Sequence, residues 1–140
     1  TGLPPTRASV PIALNRAREK AMEPIRAMLA KSGLTEQQWR ILRVLDEQGP
    51  LDASRLADRA SLLLPSQTRI VQTLSDKGLV TRTPHKTDRR RQTVAITPAG
   101  RQVIADNLDE ATRIARRFEE VLGAERLRLL LEILEDFDRL

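Results

Sequence analysis

Two short alternating runs rich in β-branched residues, LVTRT at 79–83 and QTVAI at 92–96, stand alone in a chain whose other apolar residues recur at helical spacing. The residues between them, Pro84–Arg91, are mostly polar or charged, so the pair predicts one hairpin inside an otherwise helical protein. Every fold open to this chain must arrange its helices around that hairpin. The loop concentrates cations: PHKTDRRR holds His85, the single histidine of the chain, and the consecutive Arg89, Arg90 and Arg91.

The helical segments announce their ends clearly. Residues 9–31 set Leu14, Ala17, Ala21, Ile25, Met28 and Leu29 close to a 3.6-residue period, and Pro24, lacking a backbone donor, predicts a kink or break within that helix. In SGLTEQQWRILRVLDEQGP, Thr35 is an N-cap and Gln38 its capping-box partner, with Leu34 and Trp39 at hydrophobic-staple spacing. This second helix is expected to reach about Gln48, where Gly49-Pro50 ends it. Asp52 is placed to cap a helix of about eight residues bearing Leu56, Ala57 and Ala60. Ser61–Leu64 read as a turn. Pro65 then takes the first position of a further helix with Ile70, Val71 and Leu74 on one face and Gly78 as its stop. Two short helices joined by a brief turn predict a helix-turn-helix. After the hairpin, Thr97 and Pro98 open a helix carrying Val103, Ile104, Leu108, Ala111, Ala115, Phe118 and Leu122, and beyond Gly123 a last helix carries Leu127, Leu130, Leu131, Leu134 and Phe137.

Charge is distributed as unevenly as structure. Residues 65–101 hold 8 Lys/Arg against 2 Asp/Glu, whereas residues 102–140 hold 6 against 10. A basic center joined to an acidic scaffold fits a polyanion-binding module carried by segments that need not touch the polyanion. The long end helices present more apolar surface than the center can cover, which predicts an isologous homodimer built from both chain ends. There is no cysteine, no tyrosine, no metal-ligand spacing and no Gly-rich phosphate loop, so no metal site, cofactor or enzymatic chemistry is expected. No run of apolar residues is long enough to span a membrane and no leader is readable, so a cytoplasmic location is expected.

The helix from Pro65 offers Pro65 and Ser66 in its first turn and Thr68, Arg69, Gln72 and Thr73 opposite the apolar face, groups suited to DNA bases and phosphates. An α-helix fits the major groove, and a cationic loop fits the narrow, electronegative minor groove. In that loop Asp88 precedes Arg90 by two, a spacing at which a carboxylate can aim a guanidinium, leaving Arg89 and Arg91 for flanking phosphates. His85 reads as a neighbour of phosphate or a bystander. Two other readings remain open at this point: an architectural DNA-binding protein without an effector, and a winged module that meets an acidic protein.

The arrangement resembles the MarR family of winged-helix transcription regulators over nearly the whole chain. DRRRQTVAITPAG matches that family's wing pattern of Asp-x-Arg, strand, Ile-Thr and x-x-Gly, and LPSQTRIVQTLSDKGLV matches its recognition helix and the strand that follows. Within the family, ARE-K-AM at 17–22 and LTEQQWRIL at 34–42 look like the repressors of homoprotocatechuate (aromatic acid) catabolism. Leu64 departs from the pattern, which leads one to expect arginine before the Pro-Ser. The resemblance implies a mainly α fold: a winged helix-turn-helix at 35–97, with a β-hairpin wing, flanked by dimerisation helices at 1–34 and 98–140. It implies Arg90 in the minor groove and a dimeric repressor on a pseudo-palindromic double-stranded operator. It also implies release by a small aromatic or phenolic acid, for which Arg18, Met22, Trp39 and Arg43 are the candidate ligand residues. Nothing in the resemblance calls for a metal or cofactor.

Overall fold

The protein is described here from a computed structural model covering residues 2–84, 87–88 and 91–140. Its contacts divide it into two compact units, Thr1–Asn107 and Leu108–Leu140. In the first, α1 (Val10–Ala30) continues through Pro24, so of the expected kink or break the break does not occur. Proline forfeits one backbone bond there, but Met28 and Leu29, each 1% exposed, anchor the following turn in the core. Packing of this kind, rather than intrinsic propensity, supplies most helical stability in proteins.

α2 (Glu36–Gln48) starts where its end signals place it. The Gln38 N–H donates to Thr35 Oγ1 (3.2 Å) and the Thr35 N–H donates to Gln38 Oε1 (3.1 Å), closing the capping box. Leu34 and Trp39 are both buried, as a staple requires. α3 (Ala53–Arg59) is capped by Asp52, whose Oδ1 accepts the Arg55 N–H at 2.9 Å. α4 (Leu64–Asp76) begins one residue earlier than expected, with Leu63 as N-cap, so Pro65 takes the second helical position. Proline is tolerated equally there because the N–H it lacks has no partner in the first turn.

The hairpin pairs β2 (Val80–Pro84) with β3 (Gln92–Ile96), antiparallel, with Val80 opposite Ile96 and Pro84 opposite Gln92. Pro84 therefore closes a strand rather than opening the loop, which β2 permits as an edge strand. A third strand was not expected: β1 (Leu51–Asp52) pairs with β3, Leu51 opposite Val94, giving the order β1-β3-β2. Ile41, Leu42, Leu45, Leu56, Val71, Leu74, Val80 and Val94 form the buried core beneath this sheet and α2–α4.

α5 (Pro98–Leu122) starts at Thr97, whose Oγ1 accepts the Gly100 N–H and donates to the Gly78 carbonyl at 2.7 Å. Gly100 explains the x-x-Gly of the pattern: a Cβ there would collide with the Leu79 carbonyl oxygen and lie 2.6 Å from Ile96 Cγ1. The second unit holds the rest of α5 and α6 (Ala124–Glu135), separated by Gly123 at φ 81°. No residue from 108 to 140 is buried. Among the described residues, no helix is long and apolar enough to cross a membrane.

Candidate nucleic-acid interface and adjoining cleft

α3 and α4 form the helix-turn-helix. Val71 and Leu74 are buried as expected, Ile70 is half-buried, and Gln67 is buried as well, at 1% exposure. The 67/71/74 spacing places Gln67 on the core face, a signal its polar side chain obscured. Pro65, Thr68, Arg69, Gln72 and Thr73 are exposed and Ser66 is half-buried, so the expected polar face exists. Much of it is already hydrogen-bonded. Thr68 Oγ1 donates to the Leu64 carbonyl (3.0 Å) and Thr73 Oγ1 to the Arg69 carbonyl (3.2 Å). Gln72 is braced at both ends, its Oε1 accepting from Arg82 on β2 and its Nε2 donating to Asp76 Oδ1 at 2.8 Å. Leu63 and Leu64, at the entry to α4, are 77% and 46% exposed.

In the wing, His85, Arg89 and Arg90 lie outside the described residues, and with them the expected Asp88–Arg90 pair. Asp88 is exposed, and its carbonyl accepts the Arg91 N–H at 3.0 Å. Arg91 reaches back to Asp52, Nη2 to Oδ2 at 3.5 Å, a partner the sequence spacing did not suggest. Asp52 thus joins the base of the wing to the start of α3. The Arg55 backbone N–H first, and the Arg91 charge after it, hold its carboxyl below the ordinary aspartate value. Leu64, Thr68, Asp52 and Arg91 share a depression of about 260 Å³ between the start of α4 and the wing base.

A second concavity, about 300 Å³, lies between α1 and α2. Three of the four residues expected around an effector line it, Met22, Trp39 and Arg43, together with Ile25, Glu36, Arg40, Val44 and Glu47. The fourth, Arg18, is not in the lining; it holds Glu36 Oε1 at 2.7 Å. The other Glu36 oxygen is buried and has no hydrogen-bond partner among the described residues. Arg40 was missed by sequence reasoning because its partners are remote: Nη1 donates to the Ala60 carbonyl (2.8 Å) and the Ser61 carbonyl (3.2 Å). One guanidinium therefore borders the cleft and clamps the turn between α3 and α4.

A helix-turn-helix followed by an antiparallel wing defines a winged-helix domain. The MarR family model matches residues 34–91. The FarR transcriptional regulator of Neisseria gonorrhoeae is 38% identical over 95% of this chain and 91% of its own length. The homoprotocatechuate degradative operon repressor of Escherichia coli is 36% identical over 92% of this chain and 87% of its own length. The crystal structure of NadR in complex with 4-hydroxyphenylacetate aligns at 36% identity and a TM-score of 0.83, covering 98% of this chain and 97% of that one. This chain belongs to the MarR family.

Proposed function

We propose that the protein is a dimeric, sequence-specific repressor that leaves its operator when a small aromatic acid enters the α1–α2 cleft. In this reading Pro65, Ser66, Thr68, Arg69, Gln72 and Thr73 face the major groove, and the wing with Asp88, Arg89, Arg90 and Arg91 faces the adjacent minor groove. The apolar side chains left exposed at both ends, Val10, Ile12 and Leu14 on α1 and Leu129, Leu131 and Ile133 on α6, supply the contact with a second copy. The segments 1–34 and 98–140 then serve dimerisation and 35–97 serves DNA. The role is regulatory rather than enzymatic and is exercised in the cytoplasm.

The observation that carries the reading is Arg40. An aromatic carboxylate between Trp39, Arg40 and Arg43 competes with the Ala60 and Ser61 carbonyls for that guanidinium, and the turn it releases is the one that aims α4. The aromatic acid follows from the relatives, one named for homoprotocatechuate degradation and one crystallised with 4-hydroxyphenylacetate.

The test is titration of a fluorescent duplex, selected by the protein from a randomised library, against a scrambled duplex, with and without 4-hydroxyphenylacetate or homoprotocatechuate. The selected duplex should bind at least tenfold more tightly, and ligand should reduce that affinity. Arg40→Ala, which frees the same turn permanently, should bind the selected duplex more weakly even without ligand and should lose most of the ligand response. Equal binding to both duplexes contradicts the reading, and specific binding without ligand response leaves the architectural alternative.

A further inference from the structure

We infer that the start of α4 reads thymine methyl groups, through a hydrophobic step formed by Leu64 and Thr68. The inference rests on the proposal that α4 enters the major groove. Leu64 is the first residue of α4, 46% exposed, and Thr68 lies one turn on along the same face. The Thr68 hydroxyl proton is committed to the Leu64 carbonyl, so toward a base edge the side chain offers its methyl and an oxygen that can only accept, and it cannot donate to thymine O4. Gln72 would have to give up its bracing by Arg82 and Asp76 to grip adenine through both ends of its amide.

A half-exposed leucine at the tip of a DNA-facing helix gains free energy when something apolar covers it, and the major groove offers one apolar group, the 5-methyl of thymine. Leu64 borders the depression shared with Asp52, Thr68 and Arg91, so it stands beside the wing base rather than on a remote surface. Arg69 supplies the charged contact on the same helix. The half-site therefore carries at least one thymine whose methyl, rather than its hydrogen-bonding edge, is selected.

The probe is the library-selected duplex, resynthesised with deoxyuridine replacing one thymidine at a time. Deoxyuridine keeps every Watson–Crick and minor-groove group and removes only the methyl, so wing contacts are untouched. At one thymine per half-site the wild-type protein should lose about fourfold in affinity, the value of one buried methyl. Leu64→Ala should bind the unmodified duplex more weakly by a similar factor and respond less than about twofold to the same deoxyuridine. Preference for the selected duplex with no methyl-sensitive thymine, or equal sensitivity in Leu64→Ala, overturns the inference and spares the proposed function. No preference for the selected duplex overturns both.

Discussion

The helices of the winged-helix center and those of the second unit are written in the same amphipathic code, yet they end differently. Leu42, Leu56 and Leu74 are fully buried among α2, α3, α4 and the sheet, whereas Leu129, Leu130, Leu131 and Ile133 on α6 are 40–56% exposed. An apolar stripe specifies which face of a helix must be covered and says nothing of what covers it. The center covers its own. The 33 residues from Leu108 onward are too few to enclose a core, and their apolar face is available to a second copy.

The sharpest way to break the self-sufficient region is Gly100→Ala. The added methyl meets the Leu79 backbone and Ile96, neither a freely moving side-chain end, and should cost about 3 kcal/mol. Thermal unfolding should show this as a large drop in midpoint. A near-neutral result would mean that α5 and the sheet are less tightly joined than described.

Leu131→Asp should act the other way. It leaves the Trp39 environment and the secondary structure intact, but weakens self-association by about 100-fold, as expected for a charge placed in an apolar contact. Sedimentation over a concentration series reads the shift. Loss of folding with no change in association would reverse the assignment of the two regions.

The smallest effect sharpens the joint between wing and helix-turn-helix. The carboxyl of Asp52 is held below its ordinary value, so its charge stabilises the folded state above about pH 4 and that contribution disappears as pH falls through the folded-state value. Asn at this position keeps a capping acceptor without the charge. Urea unfolding should therefore find Asp52→Asn less stable than wild type at pH 6, with the gap closing at pH 3. Equal stability of the two proteins at pH 6 would assign the Asp52 contribution to its capping shape alone.

What could be read in advance was what the chain decides locally. The Thr35–Gln38 box, the Asp52 cap, the Thr97 start and the hairpin each involve residues close in sequence, so spacing was enough. β1 was not legible because two residues carry no period; only their pairing with β3, some forty residues on, makes them a strand. For the same reason Arg40 could not be matched to the Ala60 and Ser61 carbonyls, nor Arg18 to Glu36, by helical spacing. Gln67 was obscured by its polarity. Met22, Trp39 and Arg43 came from family resemblance, and the cleft brought those three together while leaving Arg18 as support for its wall.

The most direct measurement is the mass of the protein in solution, by light scattering at micromolar concentration, free and on its selected duplex. Two copies per particle are expected in both states, twice the 15.8 kDa of one chain plus the duplex in the second. A single chain, free and bound, would contradict the account.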